Sequence, residues 1–264
     1  HVLHDRPDGR NINDGCGSTH PASLQAEVVA RGADVGLAFD GDADRVLAVD
    51  ADGSLVDGDQ LIALLALDRQ QSGRLPDSTV VVTVMANLGF RQAMRAARIT
   101  VVETDVGDRY VLEAMEKGGW ALGGEQSGHV VFRDLATTGD GILTGLQVLD
   151  VAVRSGRSLA ELASVVVRRP QVLRNVPVAS GRPLSDEVEL AAAIAEVEAE
   201  LGDTGRVLIR PSGTEPVIRV MVEAETAEAT EEACEALCQA VTRHLGELRP
   251  PKPPPDVKGV DGGR

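Results

Sequence analysis

The stretch Thr79–Gly123, TVVVTVMANLGFRQAMRAARITVVETDVGDRYVLEAMEKGGWALG, decides the fold class of this chain. Short β-branched runs alternate in it with longer amphipathic segments. The pattern predicts strands at Thr79–Val84, Ile99–Glu103 and Trp120–Gly123, and helices at Leu88–Ala97 and Arg109–Lys117. Strands that alternate with helices are typical of a parallel, doubly wound sheet, so we predict an α/β domain here.

Toward the N-terminus the pattern predicts a helix, a hairpin and a second helix. The predicted elements are the helix Pro21–Arg31, the strand Val35–Phe39, a hairpin of Arg45–Val49 with Leu55–Val56 about the turn Asp52-Gly53, and the apolar helix Asp59–Gln71. Gly73 and Pro76 then indicate a boundary. We assign residues 1–72 to one domain.

Toward the C-terminus the α/β block ends and a different pattern begins. A strand at His129–Phe132 and helices at Gly141–Val153 and Leu159–Val165, the last capped by Ser158, complete a domain of residues 73–170. Residues 171–247 read as a smaller α+β domain. Its predicted elements are a strand from Val172, a helix Asp186–Leu201 capped by Ser185, strands Val207–Arg210 and Val217–Val222, and a helix Ala227–Leu245. The proline-rich residues 248–264 are expected to be a disordered tail.

The composition indicates an ordinary globular chain with an acidic surface. Of 264 residues, 43% are hydrophobic and 25% are charged, which excludes wholesale disorder. The balance of 26 basic and 41 acidic residues gives a net charge of −15, which repels phosphate backbones and anionic membranes. We therefore expect neither nucleic acid nor a membrane as a partner.

The cysteines point to a reducing compartment. Cys16, Cys234 and Cys238 are an odd and sparse set, unlike the dense sets of secreted domains. Cys234 and Cys238 lie four residues apart in a helical pattern, and we interpret them as packing residues because no second pair of metal ligands lies nearby. No apolar run reaches the length of a membrane span, and no targeting segment precedes the fold, so a cytoplasmic protein is expected.

The sharpest chemical signal is the acidic loop, Asp40-Gly41-Asp42-Ala43-Asp44-Arg45, which follows a predicted strand. Alternate spacing in a loop can turn three carboxylates toward one centre, and oxygen ligands are those that Mg²⁺ and Ca²⁺ prefer. An EF-hand is excluded because Arg45 and Ala51 stand where its loop needs Gly and Glu. The alternative, a plain acidic surface turn, is our interpretation of Asp50-Ala51-Asp52-Gly53 and Asp57-Gly58-Asp59.

A glycine-rich loop, Gly123-Gly124-Glu125-Gln126-Ser127-Gly128-His129, follows the last strand of the α/β stretch. Open α/β sheets place ligands at the carboxyl ends of their strands. Glu125 and Ser127 can accept and donate hydrogen bonds to sugar hydroxyls, and His129 can titrate near neutrality. An ordinary turn with a surface histidine is the alternative, since glycine loops are common.

The arginine loop, Arg210-Pro211-Ser212-Gly213-Thr214-Glu215-Pro216, forms the third candidate, together with Arg219 in the following strand. Two guanidinium groups, two hydroxyls and the backbone N–H groups around Gly213 suit a phosphate dianion. A hairpin whose arginines pair with surface carboxylates is the alternative. The three loops together suggest an enzyme of sugar phosphates with a cleft between domains.

Over about Arg10–Leu245 the sequence resembles the α-D-phosphohexomutases. Six motifs in order carry the resemblance: Asn11-Ile12-Asn13 with CGSTHP at Cys16–Pro21, DGDADR at Asp40–Arg45, VGDRYVLE at Val106–Glu113, GEQSGH at Gly124–His129, TTGDG at Thr137–Gly141, and RPSGTEPVIRVMVE at Arg210–Glu223. CGSTHP and VGDRYV favour the phosphoglucosamine mutases within the family over the phosphomannomutases and phosphoglucomutases. The implied fold is a series of mixed doubly wound α/β domains followed by a smaller α+β C-terminal domain.

The resemblance implies a reaction and a role for each motif. An enzyme phosphoserine would give its phosphoryl group to glucosamine 6-phosphate, and the bisphosphate formed would reorient and return the other phosphoryl group, leaving glucosamine 1-phosphate. A sugar 1,6-bisphosphate would be intermediate and activator, and Mg²⁺ the cofactor. The implied site residues are Asp40, Asp42 and Asp44 for the metal, Arg45 and His129 for catalysis, Glu125 and Ser127 for the sugar, and Arg210, Ser212, Gly213, Thr214 and Arg219 for the distal phosphate.

Two departures from the family pattern qualify this expectation. A Thr-Ala-Ser-His-Asn-Pro-like segment, which carries the phosphoserine in the family, is absent from these 264 residues, and the chain opens with His1. The expectation is a fragment that begins inside the second of four domains, is inactive alone, behaves poorly in solution, and can form a homodimer when intact. Asp105 stands where many relatives have lysine, which leaves the general base open. The alternatives are a non-catalytic sugar-phosphate-binding module and a phosphatase that uses DGDADR itself.

Overall fold

In the computed structural model, the described residues are 1–178, 188–212 and 215–246. They divide into two compact units, residues 1–169 and residues from 170 onward. The capping role of Ser185, the first two residues of the helix predicted from Asp186, and the tail 248–264 lie outside the described residues. In the part of the chain that is described, no helix combines the length and apolar character needed to cross a bilayer.

The first unit opens with a helix and a small antiparallel sheet. Its elements are α1 (Ala22–Arg31), β1 (Val35–Phe39), β2 (Val46–Asp50) and β3 (Leu55–Val56), with sheet order β1-β2-β3. The turn between β2 and β3 is the predicted hairpin: the Gly53 N–H donates to the Asp50 carbonyl, and Gly53 has φ +82°, a conformation that favours glycine.

A four-stranded sheet and five helices complete the first unit. They are α2 (Gly58–Gln71), β4 (Thr79–Thr83), α3 (Leu88–Ala96), β5 (Thr100–Thr104), α4 (Asp108–Gly118), β6 (Leu122–Gly124), β7 (Val130–Phe132), α5 (Gly141–Ser155) and α6 (Leu159–Ala163). The sheet order is β5-β4-β6-β7, with β5, β4 and β6 parallel. β7 runs antiparallel to β6 because the five residues between them are too few for a crossover connection.

β4 confirms the doubly wound prediction because it is buried on both faces. Val80 and Val82 belong to the large core that α2 and α3 share, whereas Val81 packs on the opposite side with Val111 and Met115 of α4. A strand of continuous β-branched residues is the expected sequence for a strand covered on both faces. Helix α2 lies inside the large core, since nine of its fourteen residues are buried.

The second unit is a smaller α+β structure, as predicted. Its elements are β8 (Gln171–Pro177), α7 (Val188–Leu201), β9 (Arg206–Pro211), β10 (Val217–Glu223) and α8 (Ala227–Leu245). The strands form an antiparallel sheet of order β8-β10-β9, on which α8 packs. Leu190 of α7 is buried in the core, and Ile194, Val197 and Leu201 follow it at helical spacing.

The cysteines of α8 are packing residues. Cys234 is fully buried in the core of the second unit, and Cys238 is half-buried beside it. Burial raises the pKa of the Cys234 thiol to about 12. All three cysteines are free thiols, and the positions of Cys234 and Cys238 in the core agree with their interpretation as packing residues.

We therefore expect the folded chain to be alkylated at Cys16 at least about tenfold faster than at Cys234, since the Cys234 side chain is fully buried and burial raises the pKa of its thiol. The check is a time course with iodoacetamide, read by peptide mass spectrometry. In guanidinium chloride the two rates should converge. Equal rates in the folded protein would contradict the placement of Cys234.

Candidate active site

The acidic loop leaves the end of β1 and folds back on itself. The Ala43 N–H donates to the Asp40 carbonyl at 3.2 Å, and the Arg45 N–H donates to Asp40 Oδ1 at 3.1 Å. Ala43 takes a φ of +59°, which is uncommon for a residue with a side chain. This closed turn directs the three aspartates toward one another.

The three carboxylates fit a divalent cation. Asp40, Asp42 and Asp44 each offer one oxygen, and these atoms lie within 4.8 Å of one another. Opposite ligands of Mg²⁺ lie roughly 4.2 Å apart, so a small inward movement of the side chains would complete a site. Asp44 Oδ1 is buried and has no hydrogen-bond partner, an arrangement that a cation would relieve.

The backbone of the glycine-rich loop joins the acidic loop. The Val46 N–H donates to the Gly128 carbonyl at 3.1 Å, and Arg45 and His129 form an antiparallel bridge. Gly128 has φ +93°, and a Cβ there would lie 2.2 Å from the Val46 carbonyl oxygen. Only glycine fits this position. The close backbone contact places the predicted metal residues next to the predicted sugar residues.

His129 contacts the acidic loop directly. Its ring is 3% exposed, and Nδ1 lies 3.0 Å from Asp44 Oδ2. Nε2 is buried without a hydrogen-bond partner and faces Gly139, where a Cβ would lie 2.4 Å away. The ring therefore fixes the orientation of Asp44.

A cavity of about 350 Å³ opens where the two loops meet. Arg45, Glu125 and Ser127, all predicted from the sequence, line it together with Thr83, Met85, Val106 and Gln126. The Gly107 N–H donates to Glu125 Oε1 at 3.1 Å, so the segment before α4 holds this carboxylate at the cavity. A larger cavity of about 890 Å³ lies against α1 and β1, but of the predicted site residues only Asp40 reaches it. The smaller cavity is the better candidate because residues predicted from two separate loops, Arg45, Glu125 and Ser127, line it together.

The TTGDG motif, Thr137–Gly141, supports the site, a role that was not predicted for it. Asp140 caps α5 by accepting a hydrogen bond from the Leu143 N–H. Gly139 packs under the His129 ring, and the Gly141 N–H donates to the Ala43 carbonyl at 2.8 Å. The motif thus supports both loops. Its signal in the sequence is a helix-capping aspartate between two glycines.

The interpretation of Asp57-Gly58-Asp59 as a surface turn is wrong. Asp57 is 6% exposed and Asp59 1% exposed, because they begin the buried helix α2. Asp57 caps α2 through the Gln60 N–H, and burial raises the pKa of its carboxyl, against the opposing effect of that hydrogen bond. In Asp50-Ala51-Asp52-Gly53, Asp52 is exposed, as expected for a hairpin turn. The interpretation is wrong for Asp50, which is 6% exposed and accepts hydrogen bonds through Oδ1 from the Asp52 and Ser54 N–H groups.

The arginine loop belongs to the second unit and connects β9 to β10. Arg210 and Arg219 are directly paired across these strands, and Arg219 Nη2 lies 3.5 Å from Ser212 Oγ. Directly paired positions place both guanidinium groups on one face of the sheet, and guanidinium groups match phosphate oxygens. Gly213 and Thr214 lie outside the described residues.

Two family models match the chain in sequence order. The phosphoglucomutase/phosphomannomutase alpha/beta/alpha domain III matches residues 57–169, and the C-terminal domain of the same family matches residues 173–240. The matches contain the glycine-rich loop and the arginine loop, respectively. The division into domains at residues 72 and 73 stays a prediction, since both sides belong to one compact unit.

Known proteins are similar over most of the chain. A phosphoglucosamine mutase of a Nocardioides species is 61% identical over 239 residues, which are 90% of this chain and 53% of that protein. The chain spans about half the length of the curated relatives it matches. The fold is similar to that of Aspergillus fumigatus N-acetylphosphoglucosamine mutase in complex with GlcNAc-6P and magnesium, with a TM-score of 0.70 at 22% identity over 87% of this chain and 53% of that one. A further structure of that enzyme, in complex with glucose 1,6-bisphosphate, gives 0.65 at 21% identity over 88% and 53%.

Proposed function

Because the chain belongs to the phosphoglucomutase/phosphomannomutase family of α-D-phosphohexomutases, we propose that it supplies the metal, sugar and distal-phosphate loops of a phosphoglucosamine mutase. The reaction interconverts glucosamine 6-phosphate and glucosamine 1-phosphate for the synthesis of UDP-N-acetylglucosamine. The observation that carries the proposal is the meeting of the acidic loop and the glycine-rich loop at one cavity, lined by Arg45, Glu125 and Ser127. The 61% identity to a phosphoglucosamine mutase supports the choice of sugar.

The acidic loop serves the phosphoryl group in transfer. Asp40, Asp42 and Asp44 hold Mg²⁺, which when bound offsets charge on the transferring group. Arg45 lines the cavity beside them, and its Nε lies 3.7 Å from Asp40 Oδ2 and 3.8 Å from Asp44 Oδ1. Its guanidinium neutralises the same phosphoryl group. His129 holds Asp44 in place through Nδ1; its role as a proton carrier stays a prediction that requires access to Nε2.

The glycine-rich loop binds the sugar. The Glu125 carboxylate accepts hydrogen bonds from hydroxyls, and the Ser127 hydroxyl both donates and accepts, so either orientation of the bisphosphate is bound. The Gly107 N–H already holds one Glu125 oxygen, which leaves the other for the ligand. Such fixed polar groups position the reacting phosphate and cost little reorganisation at the moment of reaction.

The arginine loop binds the phosphate that is not reacting. Arg210 and Arg219 provide the charge and Ser212 a hydroxyl, and we assign Gly213 and Thr214 to the same site from the sequence motif. Guanidinium groups match phosphate oxygens in pairs, which gives both energy and orientation. Distal binding of this kind retains the bisphosphate while it reorients.

The phosphoserine of the reaction has no counterpart among these 264 residues. We expect the chain to bind glucosamine 6-phosphate but to transfer no phosphoryl group by itself. The test compares mutase turnover, with Mg²⁺ and a sugar 1,6-bisphosphate activator, for this chain and for a version extended upstream to the full length of its relatives. Turnover of glucosamine 6-phosphate only in the extended version supports the proposal.

Other outcomes of that test separate the alternatives. Turnover by the short chain would place the nucleophile within it. Faster turnover of mannose or glucose phosphates by the extended version would indicate a phosphomannomutase or phosphoglucomutase. Binding without turnover in either version would indicate a sugar-phosphate-binding module. The extended protein with Asp42→Asn is the matched control.

We place the protein in the cytoplasm, where hexosamine phosphates are made. The three unpaired cysteines support this location. A homodimer of the intact protein stays a prediction, to be checked by light scattering.

A further inference from the structure

The first residues of α2 contact the glycine-rich loop at its back. The Gly58 N–H donates to the Gln126 carbonyl at 3.1 Å, and a Cβ on Gly58 would lie 2.3 Å from the Glu125 carbonyl oxygen. The loop backbone therefore rests directly on the start of the helix. A side chain at position 58 would push it away.

Asp59, the next residue, joins this loop to the segment that follows β4. Its carboxylate is 1% exposed, and the same oxygen, Oδ2, accepts hydrogen bonds from the Asn87 N–H at 2.7 Å and from Gln126 Nε2 at 3.3 Å. Gln126 and Met85, two residues before Asn87, both line the cavity. One buried carboxylate thus holds two walls of the cavity.

Asn87 extends the connection to the last residue of the first unit. Its Oδ1 accepts hydrogen bonds from the Arg169 N–H at 2.9 Å and from the Gly89 N–H at 2.9 Å, and its Nδ2 donates to the Arg169 carbonyl at 3.1 Å. Arg169 immediately precedes Pro170, where the second unit begins. The contacts run from Gln126 through Asp59 and Asn87 to Arg169.

We propose that Asp59 is a positioning residue for sugar-phosphate binding, which fixes the glycine-rich loop and the Met85–Asn87 segment relative to each other and to the end of the first unit. This inference rests on the proposed function, because it assigns the cavity to the sugar. A carboxyl group is suited to the task, since one of its oxygens accepts from both donors. No other described side chain makes both contacts.

The test uses three single variants of the full chain, Asp59→Ala, Asp59→Asn and Asp52→Asn. Asp52→Asn is the control, since it replaces an aspartate in the exposed β2–β3 turn. Calorimetry gives the affinities for glucosamine 6-phosphate and for Mg²⁺ separately. We expect Asp59→Ala to weaken sugar-phosphate binding at least about tenfold, because it removes the acceptor that the Asn87 N–H and the Gln126 amide share. Mg²⁺ affinity should change less than about twofold, since the described contacts of the Asp59 carboxylate run to Asn87 and Gln126 and to neither end of the acidic loop. Asp59→Asn, which keeps an acceptor oxygen, should recover part of the loss.

Hydrogen exchange provides a readout that does not depend on the substrate. Asp59→Ala should raise exchange in residues 84–89 and 124–129 together, and Asp52→Asn in neither. Unchanged exchange and unchanged sugar-phosphate affinity in Asp59→Ala would overturn the inference. If the unchanged chain binds no sugar phosphate, the proposed function fails, and the exchange result still decides the role of Asp59. If Asp59→Ala does not fold, the same affinities and exchange rates are measured for Asp59→Asn and Gln126→Leu and compared with those of the unchanged chain.

Discussion

Asp42→Asn is expected to reduce the affinity of the chain for Mg²⁺ about 100-fold, because affinity at oxygen sites follows the number of charged ligands. Asp42 is the exposed member of the three aspartates, so its replacement leaves the turn, which Asp40 closes, unchanged. The fold should therefore be retained while the site is lost. In the extended protein, turnover should fall by about three orders of magnitude.

Titration calorimetry with Mg²⁺ measures this effect, with Asp52→Asn as the control of equal charge. The control should bind Mg²⁺ like the unchanged chain. An Asp42→Asn protein that binds Mg²⁺ within threefold of the unchanged chain would show that the ion lies elsewhere. Thermal melting without metal should place Asp42→Asn at or slightly above the control, since both positions are exposed and only Asp42→Asn removes one of three mutually repelling carboxylates.

Gly141→Ala should destabilise the chain by about 2 kcal/mol, although alanine is the better helix former by about 1 kcal/mol. The reason is the contact between α5 and the acidic loop. A Cβ on Gly141 would lie 2.5 Å from the Arg45 carbonyl oxygen and 3.0 Å from the Ala43 carbonyl oxygen, both backbone atoms that cannot move independently. The loop must shift, and Mg²⁺ affinity should fall with stability.

Gly145→Ala, one turn later in the same helix, is the matched control. Its Cβ would meet Leu37 Cδ1 at 2.8 Å, the end of a flexible side chain that can rotate away. We expect this variant to lie within about 1 kcal/mol of the unchanged chain. Urea unfolding measures both variants. Equal stability for the two would refute the close packing of α5 on the acidic loop.

Both loops of the candidate site are held by rigid neighbouring backbone. The acidic loop is held by Gly128 and Gly141, at both of which a Cβ would clash with backbone. The glycine-rich loop is held by Gly58 and by the carboxylate of Asp59. Positions behind the cavity should therefore tolerate substitution as poorly as those that face it.

The local sequence determined the helices and strands of this protein. β4 has five successive buried residues, and α2 has an uninterrupted apolar run at Leu61–Leu67, and both patterns fit covered elements. Ser158 was predicted to cap α6, and the structure adds Glu161 as the second member of a capping box. The acidic loop was also evident, because three carboxylates at alternate positions repel one another unless a cation is near.

Only the tertiary structure decided which acidic turns are buried. Three segments, beginning at Asp40, Asp50 and Asp57, share closely spaced aspartates and a glycine. The sequence alone does not distinguish an exposed hairpin turn from a helix start that another loop covers. Three contacts of the site join residues that lie more than 25 positions apart in the sequence. They are the hydrogen bond from Asn87 to Asp59, the contact of His129 with Asp44 and the packing of Gly141 on the acidic loop. A local sequence pattern indicates whether a segment forms a helix, a strand or a turn, because it records the spacing of apolar residues and the turn-forming residues. Which other segments it contacts depends on how the helices and strands pack.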